Sequence, residues 1–132
     1  ITRLVFCSGK VYFELAEARR KEKIDNVALV RIEELYPFPI EKYSATIERY
    51  SNASEIDCCQ EEPQNQGAWY QIRHRLQEPL KAHHQLFYAG RPGAAAPAPG
   101  IHRLHLHQQQ ALVAAALMAS ATEHTSALSK EA

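Results

Sequence analysis

The chain has 132 residues with 15 basic and 15 acidic side chains, so its formal charge is zero when the seven histidines are neutral. This balance argues against a protein held to nucleic acid or to an anionic membrane by bulk charge. Apolar residues make up 45% and charged residues 23%, a globular composition that argues against disorder, and the length suits one domain. Three cysteines, two of them adjacent, predict buried free thiols rather than a disulfide framework.

The first half of the chain alternates apolar runs with amphipathic stretches. Residues 2–7 predict a short buried strand, and residues 11–21 predict a helix with a single apolar stripe. Residues 27–32 predict a second strand, whose continuous apolar start suggests burial on both faces. Two prolines within residues 35–39 predict an extended connection, after which residues 40–50 are again helical.

The second half continues the alternation. Residues 54–60 predict a third strand, which is followed by a polar loop over 61–67 and a helix over 68–77. Residues 85–89 predict a fourth strand. Residues 90–100 are rich in Gly, Ala and Pro and predict an irregular crossing segment.

The last part of the chain is dominated by one helix. Residues 102–107 alternate in polarity and fit either a short strand or a helix entry, whereas residues 108–121 predict a strong helix. Residues 122–132 are small and polar and predict a flexible tail, so we expect the domain to span 1–121. This alternation predicts an α/β three-layer sandwich with a mainly parallel sheet and helices on both faces.

In such a sheet the loops after the carboxyl ends of the strands form the rim at which ligands bind. Ser8, Gly9 and Lys10 lie on this rim, where free amides at a helix start and a Lys could hold a phosphate or a carboxylate. The glycine-rich nucleotide fingerprints are absent, so a plain turn with Ser8 as the helix cap is the alternative.

Two clusters suggest chemistry that their spacing does not favour. Glu61 and Glu62 are adjacent carboxylates, but neighbouring strand residues point to opposite faces. We therefore expect one to cap the following helix and the other to meet a neighbouring domain. His102, His105 and His107 suggest a metal site, yet no single helix or strand brings all three together. We predict no catalytic residue and no metal site.

Two single residues remain open to more than one interpretation. Arg91 lies between Gly90 and Pro92 and could bind an anion bidentately, or it could be an exposed or salt-bridged surface residue. Trp69 has the character of a core or interface anchor.

Several strings of the chain resemble one family. They are CSGKVY at 7–12, VRIEELYPFP at 30–39, QEEPQNQGAW at 60–69, YAGRP at 88–92, APAPG at 96–100 and HLHQ at 105–108. These strings resemble the carboxyl-terminal domain of the thiamine-diphosphate-dependent decarboxylating dehydrogenase component of the 2-oxoglutarate dehydrogenase complex, over about residues 3–118. The chain also opens within an apolar run and without Met, as we expect for a piece of a longer enzyme.

The resemblance implies a transketolase-type carboxyl-terminal domain that follows two thiamine diphosphate domains. The whole enzyme would decarboxylate 2-oxoglutarate on thiamine diphosphate and Mg²⁺, and would transfer the succinyl group to lipoamide on the dihydrolipoyl succinyltransferase component. It would be a homodimer of the tricarboxylic acid cycle, in the bacterial cytoplasm or the mitochondrial matrix. This domain would contact the remaining domains, bind no cofactor itself and be inactive alone.

The resemblance also implies an interface between this domain and the rest of the enzyme. We expect an exposed apolar patch near the strand-end rim, with Tyr36, Phe38 and Trp69 as its candidates.

Some members of this branch have a regulatory site for a nucleotide or acetyl-coenzyme A. The resemblance places Arg91 in such a site, with Ser8, Lys10 and His105 as further candidates. Residues 93–96 are Gly-Ala-Ala-Ala where several relatives carry hydroxyl or basic side chains. Three alternatives stay open: a free-standing module that binds AMP or acetyl-coenzyme A, a small α/β binding protein of another ligand, and the relative that acts on 2-oxoadipate.

Overall fold

The computed structural model describes residues 1–93 and 102–118, in which strands and helices alternate along the chain. The strands are β1 (Arg3–Cys7), β2 (Val27–Arg31), β3 (Glu55–Pro63) and β4 (Gln85–Arg91). The helices are α1 (Val11–Lys21), α2 (Ile40–Arg49), α3 (Trp69–Gln77) and α4 (His102–Met118). The strands form one sheet in the order β2-β1-β3-β4, and all described pairs are parallel.

The sheet separates two apolar cores because successive strand side chains point to opposite faces. Leu4 and Phe6 of β1 face the core that contains buried residues of α2 and α3. Val5 and Cys7 face the other core, to which α1 and α4 contribute. The predicted α/β three-layer sandwich with a mainly parallel sheet is therefore confirmed; the likeness to transketolase stays a prediction.

Helices α2 and α3 are joined through one tyrosine. Tyr43 and Ile47 are four residues apart on α2, so both reach the sheet from the same helix face. The Tyr43 ring meets Phe6 edge-on at 4.8 Å between centroids, and its hydroxyl donates to the Leu76 carbonyl oxygen of α3 at 2.7 Å. Burial raises the pKa of this hydroxyl well above its usual value.

A buried arginine ties the end of α4 to the sheet. It lies at the amino end of β1, at the edge of the sheet opposite the rim. Arg3 donates from Nη2 to Asp57 Oδ2 and from Nε to the Ala116 carbonyl oxygen, each at 2.7 Å. Both charged side chains are almost completely buried. A cation beside the last carbonyls of a helix also interacts favourably with the helix dipole.

Two strands run further than their sequence predicts. β3 extends to Pro63, with a register irregularity after Cys59, so that Glu61 and Glu62 belong to the strand end and not to a loop. β4 extends to Arg91, whose carbonyl oxygen accepts from the backbone N–H of Gln64 at 3.1 Å. Both extensions carry polar residues, which sequence periodicity assigns to loops because it does not detect a bulge.

Helix α4 begins at His102, so the helix-entry interpretation of residues 102–107 is confirmed and the strand interpretation is wrong. Three predictions lie outside the described residues: the crossing segment beyond residue 93, the helix end at 119–121 and the tail at 122–132. Among the helices described, none is both long and apolar enough to span a bilayer.

Candidate functional site

The strand order defines where a ligand would enter this fold. The chain leaves β1 for β2 on one side and then crosses to β3 on the other, so the topology switches between the carboxyl ends of β1 and β3. Open parallel sheets bind ligands at such points. A pocket of about 380 Å³ opens here, and we call it the switch-point pocket. Its apolar wall includes Phe6, Ile32 and Ile72.

The turn from β1 into α1 forms one side of this pocket. Gly9 has a φ of 79°, in the left-handed region that favours glycine. The cap position of α1 is Lys10, and its side chain makes no capping hydrogen bond, so the expected capping by Ser8 is wrong. Ser8 is half-buried on the pocket wall, whereas Lys10 is exposed and is not among the lining residues.

Gln60 organises the other side of the pocket. Its Nε2 donates to the Pro63 carbonyl oxygen at 3.0 Å, and its Oε1 accepts from the Trp69 backbone N–H at 3.1 Å, at the start of α3. A Cβ at Gly67 would lie 2.6 Å from Gln60 Oε1. One buried amide therefore closes the loop from β3 to α3, and a side chain at position 67 would displace that amide. Sequence reasoning missed this role, and the only signal was the unbroken QEEPQNQGAW string.

Trp69 corrects the expectation of an exposed rim residue. Its side chain is fully buried and packs against the Tyr88 ring with 5.1 Å between centroids. The Tyr88 hydroxyl donates to the Arg91 carbonyl oxygen at 2.9 Å, and burial raises its pKa well above the usual value. Trp69 thus anchors α3 to β4 and has no surface to offer another domain.

Tyr36 and Phe38 differ in how much surface they present. The Tyr36 side chain lines the mouth of the switch-point pocket, is 57% exposed and donates its hydroxyl to Gln71 Oε1. Phe38 is half-buried and meets the Tyr43 ring edge-on at 5.5 Å. Of the three residues predicted at the interface, Tyr36 presents the largest free aromatic surface.

Arg91 is buried, with only 4% of its surface exposed. Its Nη1 donates to the Glu61 carbonyl oxygen, and its Nη2 donates to Gln109 Oε1 at 2.6 Å and lies 3.3 Å from His105 Nδ1. The structure therefore brings Arg91 and His105 together. The Gln109 amide in turn donates to carboxylate oxygens of Glu14 and Glu61, both at 2.9 Å. Sequence reasoning missed Glu14 and Gln109 because nothing in their spacing links them.

This network also changes the roles expected for the paired glutamates. Glu61 accepts from Gln109, while the first backbone N–H of α3 is bonded to Gln60. The first backbone N–H of α3 is therefore capped by a neutral amide and not by a glutamate. Glu62 is exposed beside the pocket.

The three thiols are poorly suited to nucleophilic chemistry. Cys7, Cys58 and Cys59 are free and buried. Burial raises the pKa of Cys7 to about 12, even though Arg31 opposes that shift, and burial also raises the pKa of the other two thiols. The reactive thiolate is therefore scarce at neutral pH.

The side chains of the rim do not suit the cofactor of the resembled enzyme. Within residues 1–93 and 102–118, no group of three His, Cys, Asp or Glu side chains could hold a metal ion. Among the described residues, those that line the switch-point pocket include Glu61 and Glu62 but no Lys, Arg or His, which is the wrong chemistry for a diphosphate. We therefore derive no thiamine-dependent step from these residues.

Comparisons with known proteins cover nearly the whole described domain. The model of the family "2-oxoglutarate dehydrogenase C-terminal" matches residues 1–117. The chain is 45% identical over 116 residues to a 2-oxoglutarate dehydrogenase E1 component of Cupriavidus necator, covering 88% of this chain and 12% of the relative. It is 48% identical over 119 residues to that of Coxiella burnetii, covering 89% of this chain and 13% of the relative.

A third relative, the E1 component of Haemophilus influenzae, is 47% identical over 117 residues, with 89% of this chain and 12% of the relative covered. The chain thus spans about one eighth of the length of these relatives. The chain belongs to the 2-oxoglutarate dehydrogenase C-terminal family, the family that its sequence strings resemble.

Proposed function

We propose that the chain is the carboxyl-terminal docking domain of a 2-oxoglutarate dehydrogenase E1 component. The observation that carries the proposal is the family match over residues 1–117, at 45–48% identity to E1 components of three bacteria. In the whole enzyme, thiamine diphosphate and Mg²⁺ supply the decarboxylation of 2-oxoglutarate. The enzyme works as a homodimer, in the bacterial cytoplasm given these relatives, and passes succinyl to the dihydrolipoyl succinyltransferase component. This domain alone is inactive.

The geometry supports docking rather than catalysis as the role of this domain. Over residues 1–93 and 102–118, the rim carries no activated nucleophile and no paired catalytic carboxylates, but it does carry an open pocket with an exposed tyrosine at its mouth. Apolar surface beside a concave site is typical of contacts between protein domains. Tyr36 is the aromatic contact that we propose, and the half-buried Phe38 packs instead against Tyr43.

A chimera tests the proposal. This chain replaces the matching carboxyl-terminal segment of the Cupriavidus necator relative, and release of CO₂ from 2-oxoglutarate is measured. We expect activity within about tenfold of the parent enzyme, that is, an activation barrier changed by less than about 1.4 kcal/mol. The relative truncated before the segment and the isolated chain are the controls, and we expect both to be inactive. A folded chimera no more active than the truncated control would contradict the proposal.

The substrate is tested on the enzyme encoded together with this domain. The coding sequence ahead of Ile1 should specify two thiamine diphosphate domains, and the enzyme read from it is assayed with 2-oxoglutarate and 2-oxoadipate. Faster turnover of 2-oxoadipate would show that 2-oxoadipate, and not 2-oxoglutarate, is the preferred substrate. A coding sequence without those domains would remove the docking role and favour a free-standing module.

A second function, the binding of AMP or acetyl-coenzyme A, draws on the buried Arg91. Its Nε meets no hydrogen-bond partner among the described residues, and His105 lies beside the same guanidinium. Calorimetry with both ligands should then show binding heats for the wild type. These heats should be smaller for Arg91→Lys, which lacks the planar set of guanidinium donors, and for Lys10→Ala, which removes the charge of the exposed turn. Equal heats for the wild type and both variants would remove this site.

A further inference from the structure

The switch-point pocket offers no net charge to an occupant. Glu61 lines it, but its carboxylate accepts from Gln109 and so belongs to the Arg91 network on the α4 face of the sheet. Among the described lining residues, Glu62 is then the one whose carboxylate remains for the pocket. The amino ends of α1 and α3 also border the pocket, and each contributes roughly half a positive charge. The two helix ends offset the remaining carboxylate, so the pocket favours neither sign of charge.

The amides of the pocket wall are already hydrogen-bonded within the domain. Gln60 donates to the Pro63 carbonyl oxygen and accepts from the Trp69 backbone N–H. Gln71 accepts from the Tyr36 hydroxyl at the mouth of the pocket. A polar occupant would lose its hydrogen bonds with water and would regain few from these groups, which costs free energy.

The rest of the wall is apolar and continues the core beneath it. Phe6, Ile72 and Leu76 are almost completely buried members of the core that α2 and α3 share, and they also line the pocket. Leu35 and the exposed ring of Tyr36 continue this apolar surface to the mouth. Such surface is stabilised when an apolar group displaces water from it.

We propose that the switch-point pocket receives an uncharged apolar side chain from another domain of the longer polypeptide. The proposal rests on the proposed docking function and adds the chemistry of the partner group. One apolar side chain in this pocket would cover the wall and exclude water, as the buried anchors of protein interfaces do.

The size of the pocket and the span of the chain favour a single side chain of the same enzyme. The volume of about 380 Å³ is at the small end of the roughly 300–1,000 Å³ range of ligand sites. It can hold one large side chain but no folded segment. The chain covers only 12–13% of its relatives, so in such an enzyme most of the polypeptide would lie outside this domain. The pocket opens on the rim that we propose for docking.

Four small probes of nearly the same shape test the proposed selection. Toluene, benzamide, benzamidinium and benzoate share an apolar ring and differ in polarity and charge. They are titrated into the 132-residue chain at low salt, with backbone amide shifts followed by NMR. We expect the largest shifts at Gln60, Gly67 and Ile72. Toluene should bind at least about fivefold more tightly than benzamide, and the two charged probes should bind most weakly.

Two matched substitutions separate the pocket from other surface of the domain. Ala68→Leu adds a larger side chain to the pocket wall and should weaken toluene binding at least about fivefold. Ala45→Leu adds the same atoms at an exposed position of α2 that does not line this pocket, and it should leave the affinity unchanged. If Ala68→Leu does not fold, Tyr36→Ser takes its place. Loss of that mostly exposed ring at the mouth should weaken toluene binding at least about twofold.

The same substitutions in the Cupriavidus necator chimera identify the occupant. Ala68→Leu should lower the rate of CO₂ release at least about fivefold, whereas Ala45→Leu should leave it unchanged. Full activity of the Ala68→Leu chimera would show that the pocket serves a free ligand. If the isolated chain dimerises in sedimentation experiments and Ala68→Leu abolishes the dimer, the occupant is a second copy of this domain. Either result would overturn the proposed occupant.

Equal affinity for the four probes, tightest binding of a charged probe, shifts away from the pocket, or no binding at all would each overturn the inference. The activity of the chimera without these substitutions is independent of the titrations. An active chimera whose isolated domain shows no preference for toluene would reject the apolar side chain alone, whereas an inactive chimera would reject the docking function itself.

Discussion

Replacing Gly90 by alanine should destabilise the domain strongly, because the added methyl has no room. Its Cβ would lie 2.3 Å from Tyr88 Oη, 2.6 Å from Tyr88 Cζ and 3.0 Å from the Gln60 carbonyl oxygen. The Tyr88 ring cannot move freely, since it packs on Trp69 and its hydroxyl donates to the Arg91 carbonyl oxygen. Overpacking costs about 1–3 kcal/mol and the hydrogen bond about 1 kcal/mol, so we expect a loss of about 2–4 kcal/mol.

The matched control is Gly93→Ala, where the nearest atom to the new Cβ, Asn65 Oδ1, is at an ordinary 3.5 Å. This change should alter the free energy of unfolding by less than about 1 kcal/mol. Urea unfolding followed by fluorescence reports on the site directly, because the single tryptophan, Trp69, packs against the Tyr88 ring. If Gly90→Ala unfolds within about 0.5 kcal/mol of the wild type, the close packing around Tyr88 is refuted.

Three further outcomes follow from buried or exposed groups. Asp57→Asn should cost about 3–5 kcal/mol in urea unfolding, because it removes the fully buried partner of Arg3 and leaves only the part-exposed Glu55 to balance that charge. Glu55→Gln should cost less than about 1 kcal/mol, because Asp57 still pairs with Arg3. Equal losses in the two variants would contradict this ranking. The native thiols should resist alkylation until the chain unfolds, and fast labelling of the folded chain would contradict their burial. Burial raises the pKa of Cys7 from 9.0 to about 12, so its contribution to stability should be full below about pH 9 and should disappear as the pH rises towards 12. Tyr36→Ser should change the free energy of unfolding by less than about 1 kcal/mol, because the ring is mostly exposed. The same change should lower the activity of the chimera. An unchanged activity would exclude Tyr36 from the interface.

The order of elements could be predicted from the sequence because apolar periodicity is strong in this chain. Each predicted strand up to residue 89 and each helix up to residue 118 has a counterpart in the structure. The errors concentrate where tertiary contacts override local pattern. β3 continues past Glu61 and Glu62 because a bulge lets its pairing with β4 resume at Pro63, opposite Arg91. Residues 102–107 alternate in polarity, yet they form the first turns of α4.

The functional site was less predictable because its decisive contacts join residues far apart in sequence. Trp69 has helical spacing, but nothing local shows that its ring is enclosed by β4. The link from Glu14 through Gln109 to Arg91 spans three elements of the fold. Gln60 looks like any polar residue before a loop, yet it bonds to both ends of that loop. Only the family resemblance pointed to this segment.

The most direct test of the docking role is the rate of CO₂ release from 2-oxoglutarate by the Cupriavidus necator enzyme carrying this chain as its carboxyl-terminal segment. If this domain docks as proposed, the chimera should turn over within about tenfold of the parent, while the truncated enzyme is inactive. A chimera that folds and binds thiamine diphosphate but remains as inactive as the truncated enzyme would contradict the proposed function.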